Sequence, residues 1–439
     1  MNSSSRSGLA SPRQSSPRLA VTAFAALVSV YFFSYFQRVA VPGTIFNELQ
    51  SDLHLSAAAV VALGSMFTWI YGGMQIVVGL LTDRYGGTRT LLGGGLAMLA
   101  GAALFPLAGS VGTLFAARAL TGFGASFMYL SVVKELDKLF GHRHFTVWLG
   151  VTLAIGYCGG MTATLPFERA TAAFGWRHSL LAVAALLFVA LAIAGLVLRR
   201  LGPDSRAACP LSLAPLGEVL RQRRCWPLLA SGFILFPVYF VIQTVLGKKF
   251  LQDFGGLSSA AAAGFILVMS AVSVLSVILG GSLPRLLCER RKPWLLAGAL
   301  MFLIAIGSLL AGTLLRAPGW VFLMGYLLLA VSSGVTQPSS TAAIKELNRP
   351  ESTAAAISVG NGLAYIGCGT IGQAGGWILG RYHAAATVTA AGVVYPPAAY
   401  VALCCFLTAL AGLNLIFVCM VPETWKAAVA HESLLIERN

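Results

Sequence analysis

Tyr31, Tyr35 and Arg38 fall at i, i+4 and i+7 within YFFSYFQRVAVPGTIF, residues 31–46, a run that is otherwise largely apolar. On a helix this spacing gathers two phenols and a guanidinium into one stripe. A guanidinium in apolar surroundings can fork onto a carboxylate or phosphate, so the stripe has the chemistry of an anion site. The alternative is an arginine satisfied by main-chain carbonyls, tyrosines and water. A second arginine lies in LFAARALTGFGAS (114–126), where Arg118, Gly122, Ala125 and Tyr129 share a helix face. Tyr239 and Gln243 stand one turn apart in another apolar run, and Gln337, Asn361 and Tyr365 are polar groups at similar depth in two more. Each faces either a cavity or a neighbouring helix. All fifteen acids fall at or near the ends of apolar runs or between them. Arg38 therefore has no obvious carboxylate partner at its own depth.

The same inventory argues against other chemistries. The eight cysteines make no CxxC pair and show no metal-ligand spacing with histidine. No nucleophile, metal set or paired acids suggest an enzyme, and no cofactor is expected. A net charge of +15 could suggest nucleic acid, but the basic residues sit in short clusters between apolar runs and form no basic domain.

Composition supplies the setting. Of 439 residues, 57% are hydrophobic and 10% charged, where a soluble domain carries roughly a quarter charged. Such a chain needs the lipid bilayer as its solvent. A span takes about twenty mostly apolar residues. Twelve candidates follow, roughly 19–47, 56–82, 90–109, 112–135, 146–167, 177–199, 227–251, 258–284, 294–314, 319–345, 354–380 and 397–421. The first run is too long for a signal-peptide core and is expected to remain as span 1. Arg38 then lies about 28 Å along it, at or just beyond mid-bilayer, with Pro42 and Gly43 predicting a bend beyond.

The chain repeats itself. SDLHLSAAAVVAL (51–63) enters span 2 as QDFGGLSSAAAAGFIL (252–267) enters span 8, and VVKELDK (132–138) ends span 4 as AIKELNR (343–349) ends span 10. The repeat predicts an all-α membrane protein of two six-helix bundles, 19–200 and 227–421. Residues 201–226 form a polar connector, 1–18 read as a disordered tail rich in Ser, Pro and Arg, and 422–439 form a second tail. Twenty-two of the thirty Lys and Arg fall in the segments that share a side with the termini, and six on the other. That bias predicts cytoplasmic termini, in a plasma (inner) membrane.

GLLTDRYGGTR (79–89), between spans 2 and 3, resembles the loop signature of the major facilitator superfamily, G-x-x-x-D-R-x-G followed by basic residues. Gly79, Asp83, Arg84, Gly86 and Arg89 match it, while Thr88 stands where a second basic residue is common. The resemblance implies gating: Gly79 would let two helices approach closely, and Asp83 would pair with a basic group or a helix N-terminus. GGSLPRLLCERRK (280–292) resembles a degraded copy, with Arg285 in the acid's place. Arg118, Gly122 and Gly124 resemble the family's R-x-x-x-G-x-G pattern, whose arginine is linked to proton-coupled transport in related carriers; a purely structural arginine is the other reading. VPETW (421–425) resembles the PET motif that ends sugar porters.

Y-x-x-R-V followed by a proline resembles span 1 of the superfamily's organic-anion carriers, where an arginine binds a substrate carboxylate or phosphate. Gln37 and Ala125 depart from that pattern, since acids often stand there. The resemblance implies a central cavity lined by spans 1, 4, 7 and 10 and exposed to each side in turn. The expected function is secondary active or facilitative transport of a small organic anion by a monomer. The alternative is a proton-coupled exporter of lipophilic drugs or cations, which the absence of a membrane-buried acid disfavours. Glu135 and Glu346, twinned in the KEL repeats, are candidate proton carriers, or partners of a nearby Lys or of Arg84 in a gate network. Lys248, in GKKF (247–250), is expected to be a solvated outer charge or a vestibule attracting anions.

Overall fold

Helices follow wherever the apolar runs were read. The computed structural model describes residues 17–201, 214–282, 290–349, 352–389 and 392–424. The first bundle comprises α1 (Pro17–Val39), α2 (Phe46–Leu53), α3 (Ala57–Tyr85), α4 (Gly87–Leu107), α5 (Val111–Thr162), α6 (Leu165–Phe174) and α7 (Trp176–Leu198). After α8 (Ala214–Arg221), the second comprises α9 (Trp226–Gly232), α10 (Leu235–Val241), α11 (Gly247–Asp253), α12 (Ser259–Ser282), α13 (Lys292–Leu315), α14 (Gly319–Leu347), α15 (Thr353–Gly380) and α16 (Pro397–Met420). Among the described residues, eleven helical segments are long and apolar enough to cross a membrane. The 28-residue, glycine-rich α15 runs beside α3 and completes twelve positions.

Local chemistry sets the boundaries. Ser56 and Ser110 cap α3 and α5 by accepting the N–H groups of Ala59 and Thr113, each at 3.2 Å. The chain passes from span 4 to span 5 within α5 through Gly141, whose φ of +68° a side chain would resist. The bend predicted in span 1 is a break. Ala40–Thr44 is a π-helical turn containing Val41 in an extended conformation (φ −121°, ψ 125°), and a separate short helix, α2, follows. Span 7 carries a π-helical turn at the corresponding place, Ile242–Leu246, and the two π-helical segments pack against each other. A small hairpin, β1 (Thr387–Thr389) with β2 (Gly392–Val394), departs from the all-helical expectation between α15 and α16. The segment 283–289 of the degraded loop copy, Trp425 of VPETW, and residues 1–16, 202–213 and 425–439 of the expected tails and connector lie outside the described residues.

The core shows how the bundles meet. Toward the face opposite the termini (the far face) one buried cluster joins both, from Phe36, Ile45 and Phe46 through Leu246 and Phe250 to Tyr400. Toward the termini the core divides, one part around Phe24, Leu91 and Leu136 that also takes in Phe240, Tyr365 and Cys368 of the second bundle, and the other around Leu228, Leu295 and Val359, against which Ile76 of the first bundle packs. The bundles thus share one core on the far face, and α3 and α15 keep them in contact down to Gln75 and Asn361.

Candidate functional site

Arg38 ends α1 one residue before the chain breaks, and it is 4% exposed. Three tyrosines from three helices surround its guanidinium. The guanidinium carbon lies 4.4 Å from the ring centre of Tyr35, 4.6 Å from Tyr71 and 4.9 Å from Tyr365. Desolvated contacts of this kind are worth about 2 kcal/mol, while burying the charge costs several. Nη1 donates to the Tyr365 hydroxyl. Nε and Nη2 are buried and make no hydrogen bond of ordinary geometry among the described residues, although the Tyr71 hydroxyl lies close beside the guanidinium. Nε–H and an Nη2–H point in parallel from one edge of the guanidinium, the edge that takes a carboxylate with two hydrogen bonds.

The cage continues as an aromatic wall. Tyr31 packs on Tyr35 (ring centres 5.3 Å) and Tyr129 (6.1 Å), Tyr35 on Tyr157 (5.5 Å), and Phe236 on Tyr365 (5.6 Å). Tyr35, Tyr129, Tyr157 and Phe236 are only partly buried, which marks the accessible side. Tyr71 and Tyr365 meet across the bundle interface at 4.4 Å, and one turn along each helix Asn361 Nδ2 donates to Gln75 Oε1 at 3.1 Å. Asn361 is therefore bonded to a neighbouring helix.

The structure thus gathers Tyr31, Tyr35, Arg38, Tyr129 and Tyr365, and adds Tyr71, Gln75 and Tyr157, which the sequence reading did not single out. Tyr71 and Gln75 carried a signal of their own, two polar groups at i and i+4 in span 2. The other expected binding residues have further partners. Tyr239 is buried in the cluster that closes the far face, where it bonds to Ser273 and stays near Tyr35 and Tyr157. Gln243 donates to Ser270 Oγ at 2.8 Å and lines a small far-face pocket with Thr44, Thr164 and Lys248. Gln337 is exposed, and no described contact joins it to Arg38.

Arg118 is a brace rather than a ligand. Nε donates to the Leu63 carbonyl (3.3 Å), Nη1 to Gln37 (3.2 Å) and Nη2 to Val41 (2.8 Å), and the guanidinium lies 4.7 Å from the Phe67 ring centre. It ties span 4 to span 2 and to the break in span 1. Gly122 and Gly124 make room for helices, since a Cβ would lie 2.7 Å from the Phe67 carbonyl oxygen and 2.2 Å from the Met98 nitrogen. Arg118→Leu is expected to cost about 2–4 kcal/mol through the unpaired carbonyls and to lower the melting temperature by several degrees. Any ligand-induced rise in melting temperature should survive that substitution.

Lys248 also departs from expectation. It is 6% exposed, and its ammonium donates to the Thr44 carbonyl at 2.6 Å, because closure of the far face buries it between the bundles. On the opposite face Asp83 pairs with Lys134 at 2.5 Å within its own bundle. Arg84 lies over the Tyr85 ring, Gly86 ends α3 at φ +83°, and Arg89 is exposed. A Cβ at Gly79 would meet nothing within 4 Å, so the close helix approach expected there is absent in this conformation. Among the described residues the KEL glutamates show no pairing with Arg84, and Glu135 lies 3.7 Å from the neighbouring Lys138. Glu135 accepts the Thr88 N–H at the start of α4 (2.9 Å), and Glu346 accepts Arg291 Nε at the start of α13 (3.0 Å).

Two packed bundles of membrane-spanning helices thus meet around the buried Arg38. The chain belongs to the Major Facilitator Superfamily, whose model matches residues 27–372. The human solute carrier family 2, facilitated glucose transporter member 10 is 29% identical over 175 residues, 37% of this chain and 30% of that protein. Human monocarboxylate transporter 2 is 28% identical over 183 residues, 41% of this chain and 37% of that protein. The matches thus span about a third of the length of these curated relatives. A solved bacterial homolog of the human lysosomal transporter Spinster, inward-facing and unoccupied, aligns with a TM-score of 0.74 at 18% identity, covering 94% of this chain and 99% of that one. That likeness is one of fold.

Proposed function

We propose that this transporter moves a small organic anion, a carboxylate held on the Nε/Nη2 edge of Arg38. The observation that carries the reading is that edge, buried beside tyrosine rings and making no hydrogen bond of ordinary geometry among the described residues. One fork matches one carboxylate. A phosphate ester favours a second facing cation, and the nearest candidates are committed, Arg118 to three carbonyls and Lys248 to Thr44. The partly buried tyrosines suit an apolar or aromatic body on the anion. The monocarboxylate transporter among the relatives supports the same class.

The Lys and Arg bias favours cytoplasmic termini in the plasma membrane. On that orientation the far face is extracellular and the conformation is inward-open. Transport then proceeds by alternating access, with Arg38 presented to each side in turn.

Counterflow in proteoliposomes tests this reading. Vesicles preloaded with unlabelled benzoate are expected to accumulate labelled benzoate, and to discriminate against dicarboxylates and phosphate monoesters. Accumulation of a quaternary ammonium compound, with no exchange of any anion, would overturn the reading in favour of cation export.

A further inference from the structure

Between α15 and α16, residues 392–395 form a strap against the far face of the first bundle. Thr387 pairs with Val394 and Thr389 with Gly392, and Tyr395 follows immediately, 2% exposed. The root of the strap is fastened to the second bundle. Lys249 and Asp253 form an ion pair at 2.8 Å with side chains 1% and 2% exposed. Lys249 also donates to the Val393 carbonyl, while Asp253 Oδ2 accepts the Tyr395 N–H at 3.0 Å and the Tyr400 hydroxyl at 2.6 Å.

The Tyr395 side chain reaches the first bundle. The Tyr395 hydroxyl oxygen accepts the Ala57 N–H at 3.3 Å and Gln50 Nε2 at 3.4 Å. Ala57 is the first residue of α3, where an N–H has no carbonyl partner within its own helix. Gly392 sits against Asn47 of α2, 3.2 Å from where a Cβ would stand, and Asn47 Nδ2 donates to Gln252 Oε1 at 3.4 Å. The fastening is unequal: a buried ion pair with short bonds on the second-bundle side, and long bonds from the Tyr395 hydroxyl to the first bundle. A contact built to open and close repeatedly needs that inequality.

We propose that Gly392–Tyr395 is a clasp on the far face, and that the Tyr395 phenol is a positioning residue whose bond to the start of α3 breaks whenever that face opens. The inference rests on alternating access but not on the identity of the substrate, so its test uses none. Hydrogen–deuterium exchange of the full chain in nanodiscs would compare wild type, Tyr395→Phe and Ala57→Pro. Proline is tolerated at a first helical position, follows the extended Ser56 (ψ 158°) without conflict, and removes the N–H that the phenol accepts.

Either substitution is expected to speed exchange at residues 57–63 and 242–249 by roughly two- to tenfold, the effect of one hydrogen bond, with residues 83–90 not accelerated. The double variant should add little, because both changes remove the same bond. Unchanged far-face exchange in Tyr395→Phe overturns the clasp, and so does an equal acceleration on both faces with a lower melting temperature. Selective far-face opening in a protein that exchanges no compound in counterflow would instead overturn the carrier reading and leave the clasp standing.

Discussion

Arg38→Met is expected to lower carboxylate uptake into proteoliposomes by roughly 10²- to 10⁴-fold, the combined value of two charge-assisted hydrogen bonds. The same substitution should leave the melting temperature of the empty protein unchanged or higher. The guanidinium is 4% exposed with two donors making no hydrogen bond of ordinary geometry among the described residues, so a methionine of similar length removes an uncompensated charge and keeps its volume. Loss of transport with a gain in stability is the signature of a residue kept for its ligand. Arg38→Lys restores the charge but not the fork, and should recover only part of the uptake. If Arg38→Met instead unfolds the protein while Arg38→Lys transports normally, the arginine serves packing alone.

Gly43→Val should have an effect of similar size by a different route. In the π-helical break of span 1, a Cβ at Gly43 would lie 2.0 Å from the carbonyl oxygen and 2.6 Å from the carbonyl carbon of Thr244, in the matching π-helical turn of span 7. Main-chain atoms cannot rotate away as a side chain can, so spans 1 and 7 must separate. With the far face held apart, transport is expected to fall roughly 100-fold or more while carboxylate binding persists, because alternating access needs both states. Parallel uptake and binding measurements check it, and an equal loss of both would assign Gly43 to folding.

Comparing particular residues shows what the sequence could and could not disclose. Apolar run lengths, the KEL repeats and the R-x-x-x-G-x-G glycines led directly to the two-bundle fold, because hydropathy and close helix approach are local properties of the chain. Pro42 and Gly43 announced the break in span 1. Its counterpart at Ile242–Leu246 contains neither residue type, and only the packing of the two segments against each other exposes it. The first half of the candidate site was legible as Tyr31, Tyr35 and Arg38 on one helix. Tyr71 acquires its meaning only where span 2 meets Arg38, a contact that no spacing along the chain encodes.

Arg118 was left between a ligand and a structural arginine, and Lys248 was read as solvated or as a vestibule charge, for a related reason. Their depth could be counted, but whether a cation meets water, ligand or carbonyl depends on how the bundles close. The strap is least legible of all. It closes TVTAAGVVY (387–395), a short polar and β-branched stretch between spans, and its role rests on a phenol that reaches the start of α3.

The measurement that tests the central claim most directly is the melting of purified wild type and Arg38→Met against rising benzoate, with benzamide as the uncharged match. A ligand that binds the folded state raises its melting temperature by mass action. The expected result is a concentration-dependent rise for wild type with benzoate, none with benzamide, and none for the variant with either. An equal rise in both proteins, or an equal rise with the amide, would contradict the claim that Arg38 receives the anion.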